Sequence, residues 1–214
     1  MKLYSYWRSS AAYRVRIALN LKGLKHEIVP VNMLKDGGEQ HSQQYQEINP
    51  QELVPTLVDG EITLTQSMAI IEYLDEKYPQ INLMPADIEN RARVRQLAQI
   101  TACDIHPLNN LRVLKYLKKE LNVEDDDKDN WYQHWIIQGF NALEESIKKS
   151  RLTGPYCMGE KLSLVDLCLI PQMYNAHRFK VSMENYPILS EIEKTCLALD
   201  AFQQATPEKQ IDAI

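Results

Sequence analysis

The sequence predicts an α/β domain over residues 1–80 followed by an all-helical domain over residues 86–214. Three observations predict it. Short strand and helix patterns alternate up to residue 78, long helical patterns take over from about residue 86, and the stretch from Pro79 to Pro85 interrupts both periodicities. A chain of 214 residues has room for both domains and for a substantial core.

Taken in order, Leu3-Tyr4-Ser5-Tyr6 is aromatic-rich and strand-like, and Arg8-Ser9-Ser10 introduces a helix. In that helix Val15, Ala18 and Leu19 share a face, Arg14, Arg16, Asn20 and Lys22 are polar, and Gly23 stands where a left-handed cap is wanted. The run from His26 to Asn32 reads as a second strand, and coming after a helix it pairs in parallel with the first. A polar stretch with Gly37-Gly38 and Asn49-Pro50 reads as a loop into a third strand, Thr56-Leu57-Val58. Asp59-Gly60 then marks a hairpin to Ile62-Thr63-Leu64. Ser67 is read as the N-cap of a helix that ends before Tyr78-Pro79. The predicted order is therefore βαβ followed by ββα. The remainder carries helical patterns over residues 91–120, 131–149, 164–179 and 189–199, and the acidic run at 124–127 reads as a solvated loop between helices. Ser163 and Asp166 have the spacing of a capping box and are read as structural.

Composition excludes several functions. The net charge is −5 and neither half of the chain is basic, so nothing favours nucleic acid or an anionic membrane. No apolar run is long enough to span a bilayer, and the start MKLYSYWRSS lacks the layout of a signal peptide, which predicts a cytoplasmic protein. Cys103, Cys157, Cys168 and Cys196 form no CxxC pair and are read as buried free thiols. The five histidines are scattered without metal-ligand spacing, so no metal is expected. Phosphate-binding glycine motifs and the serine-hydrolase elbow are absent from the sequence.

In α/β domains ligands bind beyond the carboxyl ends of parallel strands, which directs attention to the turn Arg8-Ser9-Ser10. A serine there either caps the helix or joins the helix's positive end in stabilising an anion, and the residues alone leave both readings open. Val54-Pro55 is either an edge device or, with a cis bond, a site where the Val54 backbone meets a ligand's backbone. Gln66-Ser67 offers amides and a hydroxyl to a carboxylate, with capping again as the alternative.

Together these segments, and above all Ser9-Ser10-Ala11-Ala12-Tyr13-Arg14-Val15-Arg16-Ile17-Ala18-Leu19, resemble the zeta class of the glutathione transferases, the family of the maleylacetoacetate isomerases. Lys35-Asp36-Gly37-Gly38, His106-Pro107-Leu108-Asn109-Asn110-Leu111, Gly139-Phe140-Asn141-Ala142-Leu143-Glu144 and Asn175-Ala176-His177-Arg178-Phe179 agree, so the resemblance spans essentially the whole chain. One position departs from it. The class commonly carries cysteine after Ser-Ser, where this chain has Ala11, so no thiol-specific role falls there.

The resemblance implies a thioredoxin-like N-terminal domain that binds glutathione, a helical domain that contributes to the substrate site, a cis Val54-Pro55 bond and a homodimer facing through residues 66–77 and 91–120. It implies glutathione as cofactor, bound by Ser9, Val54, Pro55, Gln66 and Ser67. The implied reaction is isomerisation of a cis enedioate such as maleylacetoacetate to the trans fumaryl form. The thiolate adds to the double bond, the resulting single bond rotates, and elimination returns the thiolate. Ser9 and Ser10 are the candidates for stabilising that thiolate, Ser9 being preferred to Tyr4 or Tyr6. Arg178 is the chief candidate for the substrate carboxylate, with Arg8 and Asn109 beside it, while Arg14 and Arg16 are expected to point to solvent or a domain contact. Maleylpyruvate and α-halo acids remain alternative substrates. A non-enzymatic binding protein on the same fold is disfavoured by the joint presence of Ser9, Val54-Pro55, Gln66-Ser67 and Arg178.

Overall fold

In the computed structural model, which describes residues 1–150, 152 and 154–213, the first eighty residues place four strands in one mixed sheet. Strand β1 (Lys2–Ser5) runs into helix α1 (Ser10–Leu21), and β2 (Glu27–Pro30) returns parallel to β1 with Leu3 opposite Ile28. Strands β3 (Thr56–Asp59) and β4 (Ile62–Thr65) form the expected hairpin, whose register sets Asp59 against Ile62, with Gly60 at a φ of 62° in the turn. β3 pairs antiparallel with β1, giving the order β2-β1-β3-β4, and Leu3 opposite Leu57 is a fully buried pair at its centre. Helix α3 (Ser67–Lys77) follows. The polar stretch before β3 is not simply a loop. It holds a short helix α2 (Gln43–Ile48), started by Ser42 accepting from the Tyr45 amide.

The chain divides into two compact units, Met1–Asn82 with Leu197–Ile214, and Leu83–Cys196. The expectation of a helical domain continuing to residue 214 therefore differs from the observed division. Its last segment, including the short helix α9 (Asp200–Gln203), packs on α1 instead. That packing decides between the two directions expected for the arginines of α1, since Arg16 meets the C-terminal segment. Arg14 and Arg16 do not reach solvent but are 2% and 1% exposed, because α1 is covered by α3 and by the C-terminal segment. The Arg16 guanidinium is tolerated because acceptors surround it. Arg16 donates to the carbonyls of Ala205 (3.0 Å) and Trp7 (3.0 Å) and to Ser5 Oγ (3.1 Å). Burial pulls its pKa down to about 10, so it stays charged at neutral pH, helped by the nearby Asp212. Lys22 is likewise enclosed, its ammonium 2.8 Å from Asp75 and bonded to the carbonyls of Tyr78 and Ile81.

The second unit contains α4 (Ile88–Gln99), α5 (Leu111–Lys119), α6 (Asp125–Ser150), α7 (Leu164–Arg178) and all but the last residue of α8 (Pro187–Leu197). The pattern expected to run unbroken over 91–120 is interrupted by a π-helical segment, Ile100–Ile105, and by turns around Pro107. Gly139 on α6 faces this segment, where any Cβ would collide with the Ile105 side chain. The acidic run is not a loop either. Asp125, Asp126 and Asp127 form the first turn of α6, where the positive end of the helix favours carboxylates. Cys157, Cys168 and Cys196 are buried thiols as expected, whereas Cys103 is exposed on the π segment.

The capping box at α7 is present in both halves. Asp166 is fully buried and accepts from the backbone of Cys157 (2.8 Å), the backbone of Ser163 (2.7 Å) and Ser163 Oγ (3.0 Å). Burial raises its pKa against these bonds, so its contribution is fully present below the unfolded value and lessens as pH rises through the folded one. Asp166→Ala strands those buried donors and is expected to lower unfolding free energy by about 3 kcal/mol in urea melts.

Candidate active site

The polypeptide leaving β1 closes a tight turn in which the Ser9 amide donates to the Tyr6 carbonyl (2.9 Å). Ser9 is the residue that caps α1: its backbone is extended, and its Oγ accepts from the Ala12 amide at 3.2 Å. Ser10 is the first residue of the helix and is buried. The capping role anticipated for one of the two serines thus falls on Ser9, the preferred catalytic candidate. The two roles are compatible in chemistry. A hydroxyl has two lone pairs and one proton, so accepting an amide bond leaves the proton for an anion set at the helix N-terminus. Arg8 is half-exposed in the same turn, its guanidinium 4.7 Å from the Trp7 ring centroid.

A second group of polar functions surrounds the start of α3. Gln66, not Ser67, occupies the N-cap, with a left-handed φ of 69°, and its side-chain amide donates to Gln51 Oε1 (2.8 Å). Ser67 is the first helical residue, so its amide is one of those a helix leaves unpaired in its first turn. Arg14 Nη1 donates to Ser67 Oγ (3.3 Å), which orients that hydroxyl to present its own proton. The Val54-Pro55 bond is cis. Its loop is held from beneath by two buried side chains. Asn49 Nδ2 donates to the Leu53 carbonyl (2.7 Å) and to Thr56 Oγ1 (3.1 Å), and the Tyr45 hydroxyl donates to the same carbonyl (2.7 Å).

In the second unit Arg178 ends α7 and is exposed, with its guanidinium 4.6 Å from the Phe179 ring centroid. Phe179 stacks on Tyr132 of α6 at 3.5 Å and 11°, and burial pushes the pKa of the Tyr132 hydroxyl up against the opposing charge of Arg178. Gln133 Nε2 donates to the Phe179 carbonyl (2.8 Å), fixing the end of α7 to α6. Asn109 is buried and donates to the Tyr132 carbonyl (3.0 Å), so its amide group braces α6. The sequence reading did not single out Tyr132, Tyr45 or Asp212. Only Tyr45, an aromatic at a helix position otherwise flanked by polar residues, carried a signal there.

Residues 3–82 match the family model described as the N-terminal domain of glutathione S-transferase. A probable maleylacetoacetate isomerase of Vibrio cholerae is 54% identical over 99% of this chain and 97% of its own. The holo structure of a maleylpyruvate isomerase, a bacterial glutathione transferase of the zeta class, superposes with a TM-score of 0.97 at 43% identity, covering 100% of both chains. The chain belongs to the zeta-class glutathione transferases. A maleylacetoacetate isomerase of Methylobacterium extorquens, solved with malonate and glutathione bound, is similar too, with a TM-score of 0.95 and 40% identity over 100% of both chains. As a zeta-class enzyme this chain is a glutathione-dependent cis–trans isomerase, and the mixed sheet with its cis-proline loop is the thioredoxin-like domain of that class.

Proposed function

We propose that this zeta-class enzyme converts maleylacetoacetate to fumarylacetoacetate, with glutathione consumed and regenerated in each turnover. The observation that carries the reading is the Ser9 hydroxyl at the N-terminus of α1, accepting a single backbone bond and retaining a proton for an anion. The glutathione thiolate is that anion. A free thiol has a pKa near 8.5, and each unit by which the site lowers it corresponds to about 1.4 kcal/mol of preferential thiolate stabilisation. Ser67, its hydroxyl oriented by Arg14, takes the γ-glutamyl carboxylate together with Gln66, and the Val54 backbone before Pro55 pairs with the cysteinyl unit.

Thiolate addition breaks the carbon–carbon π bond and pushes its electron pair onto the neighbouring carbonyl as an enolate. Rotation about the new single bond follows, and collapse of the enolate expels the thiolate. Arg178 binds a substrate carboxylate, and Arg8, in the turn beside Ser9, supplies a second positive charge where the enolate develops. Asn109, bonded to the Tyr132 carbonyl on α6, supports the Arg178 end of α7 by placement rather than by contact.

The similarity to a maleylpyruvate isomerase over the whole chain gives a second reading, in which the shorter keto-acid is the substrate. An ultraviolet isomerisation assay with both maleyl keto-acids, with and without glutathione, separates the two. Maleylacetoacetate is expected to turn over with the higher kcat/KM and only when glutathione is present. A preference for maleylpyruvate would establish the second reading, and turnover without glutathione would overturn both.

A homodimer is proposed as the working form, on the exposed apolar side chains Ile88 (85%) and Tyr116 (59%) at α4 and α5. Light scattering at micromolar concentration should give twice the 24.8 kDa chain mass, and a monomeric mass would refute it. Four free thiols are consistent with work in a reducing, cytoplasmic setting.

A further inference from the structure

The turn that carries Arg8 and Ser9 is held by two side chains of opposite charge that act on one residue, Trp7. Its amide donates to Asp212 Oδ2 at 3.0 Å, and its carbonyl accepts from Arg16 Nη2 at 3.0 Å. Arg16 Nη1 also reaches the Tyr6 carbonyl (3.4 Å), the same oxygen that the Ser9 amide uses to close the turn. The two peptide planes flanking Trp7 are therefore fixed from outside the turn, by α1 on one side and by the C-terminal segment on the other. The second oxygen of Asp212 is buried with no hydrogen-bond partner. An enclosed carboxylate oxygen without a partner is expensive for the fold even on a half-buried residue, which argues that the value of Asp212 lies in what it holds.

We propose that Asp212 is a positioning residue for thiolate activation, acting through the Trp7 amide to fix where the Ser9 hydroxyl stands. The inference rests on the reading that Ser9 stabilises the glutathione thiolate. Only Arg8 separates Trp7 from Ser9, so a turn released at the Trp7 amide pivots about the Arg16 bonds and moves the hydroxyl. Misplacement of a catalytic group by about 1 Å is enough to cost as much as a hundredfold in rate. The Asp212 charge does not itself favour a thiolate, and the nearby Arg16 offsets it.

The test uses the full-length enzyme and reads the thiol pKa of bound glutathione by thiolate absorbance, alongside kcat and the keto-acid KM. Asp212→Ala is expected to raise that pKa by about half a unit and to lower kcat about three- to tenfold, with KM changed less than twofold. Asp212→Asn keeps an acceptor of the same reach and should restore the pKa. Asp212→Glu keeps the charge but displaces the acceptor by one methylene, so it should fall between the two even if the alanine variant does not fold. An unchanged thiol pKa in Asp212→Ala or Asp212→Glu, with only the unfolding midpoint lowered, would reduce Asp212 to a structural residue. Ser9→Gly measured in parallel keeps the two readings apart. If it fails to move the thiol pKa, the Ser9 reading falls; if it moves the pKa and the Asp212 variants do not, only the positioning role falls.

Discussion

Ser9→Gly is expected to raise the thiol pKa of bound glutathione by about one to two units and to cut kcat near neutral pH by roughly ten- to a hundredfold. A hydrogen bond to a charged group contributes about 1.5–3 kcal/mol, which at 1.4 kcal/mol per unit is that shift. Glycine is the informative replacement because Ser9 also caps α1. Alanine at an N-cap costs about 0.5–2 kcal/mol of stability, whereas glycine costs only a few tenths, so the glycine variant removes the chemistry and nearly spares the helix. Ser9→Thr, which keeps a hydroxyl, should retain most of the activity. A thiol pKa unmoved in Ser9→Gly and raised in Ser10→Ala would transfer the role to Ser10. No shift in either would leave the helix N-terminus and its backbone amides as the activating group.

Arg178→Lys is expected to weaken the keto-acid interaction about ten- to a hundredfold in kcat/KM while the bound thiol pKa stays within about 0.2 units of the parent. Lysine preserves the charge but has no planar fork to engage both carboxylate oxygens, and it cannot stack on Phe179 as the guanidinium does. The defect should appear at the electrophile, complementary to that of Ser9→Gly. A raised thiol pKa with unchanged keto-acid kinetics would show that Arg178 acts on the nucleophile instead. Phe179, stacked on Tyr132 and lying under the Arg178 guanidinium, gives the arginine a restrained starting position. Part of its binding entropy is thereby met before substrate arrives.

Much of this is legible in the sequence. The strand, the Arg8-Ser9-Ser10 turn and the helix after it are marked by local chemistry, as are the Asp59-Gly60 hairpin and the Ser163/Asp166 box. What stayed hidden follows from two physical causes. Periodicity treats arginine as a surface residue, and nothing near Arg14 or Arg16 announces that Ser67, Ser5 and the Trp7 and Ala205 carbonyls will surround them. Tertiary acceptors decide the burial of a guanidinium, and these lie up to 189 residues away. Helical pattern also cannot register a change of winding. Residues 100–105 keep a helical spacing of apolar groups while the backbone opens into a π turn, whose Ile105 side chain lies where a Cβ at Gly139, on another helix, would stand. The short α2 leaves no amphipathic signal in the sequence, because it buries only Tyr45.

The return of Leu197–Ile214 to the first unit has a consequence for the order in which this protein can be made. On the ribosome, Arg16 is synthesised early, but Ala205 and Asp212, which close around it and around Trp7, come only after the entire second unit has been translated. At ordinary elongation rates that delay is on the order of ten seconds, far longer than the time in which helices and hairpins form. Through that interval the nascent sheet and α1 lack the partners that let a guanidinium sit away from water. The first unit emerges first and is finished last, and a chain cut short near residue 196 would carry Ser9 in a turn that nothing holds from the carboxyl side.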